Sequence, residues 1–137
     1  MKFDTECMRD VLLFLESEKS IITNEYGQIK AVGTSLRTIS ENLPQHPKEV
    51  IYYTLSRLQE AGFLNMTTRF GNNTLLACHV NYITYSGHQF IESIRDNNRW
   101  EKINGVLSAV RDYSLSAISA VAEGVTSAAI TAKLSQG

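Results

Sequence analysis

Between Pro47 and Tyr82 the hydrophobic period changes from that of a helix to that of a strand. Ile51, Leu55 and Leu58 fall within one narrow arc at roughly 100° per residue, so the stretch PKEVIYYTLSRLQE predicts an amphipathic helix with that arc turned inward. Pro47 fits the N1 position, where its fixed φ suits a helix start and its missing N–H is no loss. Gly62 fits the left-handed residue beyond the helix, with Phe63 placed to touch Leu58. Next, Leu64, Met66, Thr68 and Phe70 alternate with Asn65, Thr67 and Arg69, Gly71-Asn72-Asn73 turns the chain, and Leu76, Cys78, Val80 and Tyr82 alternate again. That is the pattern of a β-hairpin with a polar tip.

The flanks extend it. Asp4 can cap a first helix, with Phe3 stapled onto Met8, and Met8, Val11, Leu12 and Leu15 recur at i, i+3, i+4, i+7. Ser20 to Gly33 is less periodic and reads as a short strand and a loop. Thr34 or Ser35 caps a second helix carrying Leu36, Ile39 and Leu43, which Pro44 stops. Beyond the hairpin, Thr84 or Ser86 caps a helix with Phe90, Ile91 and Ile94 inward; Asp96-Asn97-Asn98 interrupts it before Trp100, Ile103, Leu107 and Val110 resume the spacing. Helix, strand, helix, tight turn, helix, hairpin is the order of a winged helix-turn-helix. The expected fold is α+β and mostly helical: a winged-helix domain over residues 1–98, then a C-terminal helical extension over 99–137.

The string Thr84-x-x-Gly87-His88-x-Phe90-x-x-x-Ile94-Arg95-Asp96-x-x-x-Trp100, after a helix ending Glu60-Ala61-Gly62-Phe63-Leu64, resembles an uncharacterised bacterial and prophage family, a domain of unknown function. The resemblance runs from Met1 to about Ala122. It implies a winged-helix fold and brings no established activity with it. The chain departs from the family in having Asn97 where a second acidic residue is common after Asp96, and in its long, small-residue C-terminus.

Charge limits what such a fold can bind. The chain has 137 residues and a net charge of -1, so its overall field does not draw it to phosphate and any nucleic-acid site must be local. From Thr34 to Leu75, Arg37, Lys48, Arg57 and Arg69 stand against Glu41, Glu49 and Glu60, which leaves counterion release only a modest part. The outward arc of the third helix carries Glu49, Tyr53, Ser56, Arg57 and Glu60, a poor match to a major groove, where carboxylates meet phosphate. The residues set out for DNA or for a protein partner are therefore Gln45, His46, Lys48 and Tyr52 at the helix start, Tyr53, Ser56 and Arg57 along it, and Arg69, Asn72 and Asn73 at the hairpin tip. The fold puts double-stranded DNA ahead; the rival is a protein-interaction module, for instance a phage-encoded inhibitor or adaptor acting on a host protein.

Chemistry is not expected. His88 has no placeable nucleophile and carboxylate beside it, so it reads as a capping or packing residue. Cys78 and His79 are neighbours on an extended strand and point to opposite faces, so they cannot share a metal. Cys7 and Cys78 form no CxxC and read as buried thiols. No catalytic residue, metal, cofactor or small-molecule substrate is assigned. Arg95-Asp96 reads as an internal ion pair tying the tail to the body, and Trp100 as a core anchor. Without a secretory pattern at the N-terminus, a reducing cytoplasm is the expected location. In the tail, Leu115, Ile118, Ala122, Val125, Ala129 and Ala132 fall at 3-4 spacing, a coiled-coil-like seam of small side chains that suits homodimerisation or docking. Its serines, threonines and Gly124 make insertion into a membrane weak.

Overall fold

The Asp4 carboxylate accepts the Cys7 amide and starts α1 (Thr5–Ser17), which buries Cys7, Met8, Val11, Leu12 and Leu15 along one side. The structure, a computed structural model, describes residues 1–136. After α1 the chain makes an exposed antiparallel ribbon of β1 (Ile21–Thr23) and β2 (Ile29–Ala31), with Ile22 opposite Lys30. Only the first of these strands was expected. The second follows from Asn24, whose Oδ1 accepts the amides of Tyr26 and Gln28 at 2.9 Å each and folds the chain back, with Gly27 at φ 76°.

The two-residue β3 (Thr34–Ser35) leads into α2 (Leu36–Asn42), whose first turn is capped by Ser35 Oγ accepting the Thr38 amide at 3.1 Å. Next comes α3 (Lys48–Glu60). Pro47 precedes the helix as its N-cap rather than its first residue: φ is -61° but ψ is 145°, and its carbonyl accepts the amides of Val50 and Ile51. At the other end Gly62 N–H donates to Gln59 O and Phe63 N–H to Leu58 O, the paired bonds of a Schellman motif, with Gly62 at φ 83°. Ile51, Leu55 and Leu58 are fully buried, and so is Thr54.

The hairpin is β4 (Leu64–Gly71) and β5 (Thr74–Ile83), joined through Asn72 and Asn73, both at positive φ as a two-residue hairpin turn requires. With β3 they form a three-stranded antiparallel sheet in the order β3-β5-β4. Register shifts between Asn65 and Met66 and between Arg69 and Phe70 break the alternation expected along β5. Cys78 and Val80 are buried, whereas Leu76 and Tyr82 turn out to solvent.

Thr84 caps α4 (Tyr85–Ile94), and Asp96 caps α5 (Asn97–Val110) by accepting the Arg99 amide. The expected boundary at residue 98 thus falls inside α5. Arg111, at φ 58°, turns the chain into α6 (Leu115–Gln136). Trp100, Ile103 and Leu107 are buried, while Val110, at the end of α5, is exposed. Ile118 and Ala122 of α6 are fully buried and belong to the same core cluster as α1, α3 and α4. The molecule is α+β and 58% helical, with six helices and two small antiparallel sheets among the described residues. Among those helices α6 alone is long and apolar enough to cross a membrane, with mean hydropathy 1.4 over Leu115–Ser135.

Candidate functional site

The candidate residues divide into two sets around α3. On one side of the helix, Lys48 and Tyr52 face the hairpin. Tyr52 meets Phe70 of β4 edge to face, ring centroids 6.4 Å apart, and Gln59 Nε2 donates to Met66 O at 2.9 Å, so the helix and the hairpin are fixed to one another. Arg69, Asn72 and Asn73 are exposed on the hairpin beyond that contact. On the far side, Tyr53 and Arg57 line a separate cleft of about 760 Å³ shared with Lys2, Arg111 and Tyr113. Ser56 is half-buried on the outer line between the two sides, where Glu49 and Glu60 are exposed.

Not all of the expected contacts are free. His46 Nε2 lies 2.7 Å from Asp10 Oδ2 of α1, and its side chain is only 11% exposed, so it ties the α2–α3 turn to the body. Arg57 pairs with Glu60 at 2.8 Å and Arg37 with Glu41 at 2.9 Å. Both of those pairs are exposed, and such pairs contribute well under about 1 kcal/mol, so either arginine can exchange its partner at little cost. Lys48 and Arg69 are in no ion pair among the described residues. From Ala61 to Ile91 the chain holds no aspartate or glutamate, so the whole hairpin is free of carboxylates.

Between α3 and the hairpin runs a groove of about 570 Å³ lined by Leu36, Arg37, Lys48, Tyr52, Leu75 and Leu76. Leu36, Arg37, Leu75 and Leu76 did not stand out in the sequence as site residues. Leu75 sits off the alternation, which only the shifted register explains.

The Thr84-to-Trp100 string builds a joint. Thr84 Oγ1 donates to Gly62 O at 2.6 Å and accepts the Gly87 amide at 3.1 Å, locking the end of α3 to the start of α4. Phe90 stacks on Phe63 with centroids 4.8 Å apart. Arg95 pairs with Glu16 of α1 and Glu92 of α4, not with Asp96, because the Asp96 carboxylate accepts the Arg99 amide in the first turn of α5. Those two carboxylates raise the guanidinium pKa further. Trp100 Nε1 donates to Glu6 Oε1 at 3.2 Å, and the Arg9 guanidinium lies 5.4 Å from the Trp100 ring centroid. Arg9 also donates to Ile94 O, Arg95 O and Asn97 Oδ1 at 2.8–3.0 Å. His88 is exposed on α4 and neither caps nor packs, since Thr84 already holds the cap.

Burial pushes both thiol pKa values up, so Cys7 and Cys78 stay protonated and unreactive. Among the described residues no three histidine, cysteine, aspartate or glutamate side chains converge as metal ligands would. In α6 the seam divides. Ile118 and Ala122 face the chain's own core, because a 3-4 repeat fits the cleft between α4 and α5 as well as it fits a second chain. Leu115, Val125 and Ala129 are half-buried and Ala132 is exposed.

A profile for the family described as "Hypothetical protein (DUF2513)" matches residues 2–112, the span from the start of the chain to the end of α5. No curated protein and no solved structure matches the chain.

Proposed function

The chain belongs to the DUF2513 family, and we propose that it is a non-catalytic winged-helix protein that binds double-stranded DNA, as a small cytoplasmic regulator of bacterial or prophage origin does. The element order α1-β3-α2-α3-β4-β5 and the sheet order β3-β5-β4 support the winged-helix reading, with β1 and β2 as an added ribbon. One observation carries the DNA reading: a carboxylate-free hairpin, with Arg69 and two asparagines towards its tip, packed beside the Lys48 end of α3.

The contact is end-on. Glu49 and Glu60 on the outer line of α3 repel phosphate if the whole helix lies in the major groove. Gln45 and Lys48 at its start meet the backbone clear of Glu60, with Glu49 the one carboxylate beside them, and Arg69, Asn72 and Asn73 take the neighbouring stretch of duplex. Phosphate contacts of this kind give affinity that falls with salt and depends little on sequence. Lys48→Glu and Arg69→Glu each weaken binding on every duplex tested, and neutralising either cation flattens the salt slope by about one. Glu49→Gln strengthens it. Fluorescence anisotropy with an arbitrary labelled duplex across a salt series measures all three, and full affinity in both charge-reversal variants sinks the reading.

A protein partner is the second reading, favoured by the acidic outer line of α3, which suits a basic protein surface better than a nucleic acid. Under it, duplex affinity is absent at moderate salt and Glu49→Gln weakens rather than strengthens partner capture.

A further inference from the structure

The groove between α3 and the hairpin has an open strand edge for one wall. β4 covers one side of β5 from Thr74 to Ile83, but on the other side β3 pairs only with His79 and Val80. Thr74 to Cys78 therefore have no strand on that side, and five residues give an edge about 17 Å long. Chains usually blunt such edges with charge, proline or cover, because unpaired N–H and C=O groups recruit another strand. Here the edge is neutral and partly apolar: Leu75 is half-buried, Ala77 is half-buried and Leu76, displaced by the bulge, is 56% exposed at the mouth of the groove. The opposite wall is Leu36 and Tyr52, and the charged groups at the rim are Lys48, Glu49 and Arg37, the last held by Glu41 in an exposed pair that it can exchange at little cost.

We propose that this groove binds an extended peptide segment, apolar at alternate positions and carrying carboxylates between them. The segment adds to the open edge of β5 as a further strand in line with β3. Main-chain hydrogen bonds to Thr74–Cys78 give it affinity, alternate apolar side chains seat between Tyr52, Leu36 and Leu75, and its carboxylates meet Lys48 and Arg37. The acidic preference follows from Lys48, which is in no ion pair among the described residues, from the exchangeable Arg37, and from the absence of any carboxylate on the hairpin itself. The inference does not depend on DNA binding.

The probe is a fluorescein-labelled dodecapeptide alternating valine and glutamate, read by anisotropy on the full chain, with backbone amide exchange followed in parallel. Binding is expected to slow exchange of amides within Leu75–Cys78. The same peptide N-methylated at every residue loses binding because its strand donors are gone, and a valine–lysine peptide binds at least about tenfold more weakly. Leu76→Glu, an exposed position that leaves the core untouched, weakens the acidic peptide by a similar factor. No binding of the acidic peptide, equal binding of the N-methylated one, or protection confined to residues outside the groove overturns the proposal.

Discussion

Gly87 is where a single added carbon meets the most. A Cβ there would stand 2.1 Å from the Phe63 carbonyl oxygen and 2.7 Å from Ile83 Cγ2. The oxygen is backbone, fixed by accepting the Thr84 amide, so it has no room to withdraw. Gly87→Ala is therefore expected to destabilise the fold by about 2–3 kcal/mol through forced separation of α4 from the α3–β4 turn. Gly105 gives the opposite sign. It lies inside α5 with nothing within 4 Å of its Cβ position, so Gly105→Ala should stabilise by about 0.5–1 kcal/mol from helix propensity alone. Urea midpoints of the two variants check both, and a loss at Gly105 or no loss at Gly87 contradicts the packing described. The cap was visible in the sequence as Thr84 or Ser86, because capping is local, and the structure has Thr84. That Gly87 is required by the carbonyl of Phe63 was not visible, since that contact spans 24 residues and leaves no periodic trace.

Arg9 joins three elements. Its guanidinium donates to the last two carbonyls at the end of α4 and to Asn97 at the start of α5, so a side chain of α1 closes a helix terminus far along the chain. A cation suits that place, because the terminal carbonyls are unpaired and the helix dipole is negative there. Removing it leaves two carbonyls without their donor, and Arg9→Ala is expected to cost about 2 kcal/mol. Arg9→Lys keeps the charge but not the fork of donors, and recovers less than half of that loss. Thermal or urea unfolding of both variants provides the measurement, and a lysine that restores full stability shows charge alone to be sufficient. Element by element, the helices α1 to α4 were legible from caps and apolar stripes, down to the residue for Asp4 and Gly62. The β1–β2 ribbon was only half legible, because all six of its residues are exposed and have no buried face to set a period. Arg9 was not legible as a joint at all: its partners lie 85 or more positions away.

At the scale of the whole molecule the question is what α6 does for the rest. It lies beyond the span matched by the family, yet Ile118 and Ala122 sit in the same core as Met8, Leu55 and Ile91 with no exposure. The second half of the helix departs from that pattern: Ile130 and Leu134 are 53% and 76% exposed, and Ala132 is exposed too. One helix thus does two jobs along its length, closing the core with its first three turns and offering an apolar surface with the rest. Two truncations separate them. A chain ending at Tyr113 loses Ile118 and Ala122 from the core together with the packing of α6 on α5 and α4, and burying an isoleucine side chain alone is worth about 2 kcal/mol or more. It is expected to unfold at much lower temperature or to aggregate. A chain ending at Gly124 keeps Ile118 and Ala122, loses only the half-buried Val125 from the core side, and should melt far closer to the full chain than the Tyr113 truncation does, in one transition. If the outer half of α6 pairs two copies, as its 3-4 spacing through Val125, Ala129 and Ala132 suggests, the Gly124 truncation has half the solution mass of the full chain in light scattering. An unchanged mass with an unchanged melting temperature leaves the outer half without a role in assembly, and a low melting temperature shows the core to need the entire helix.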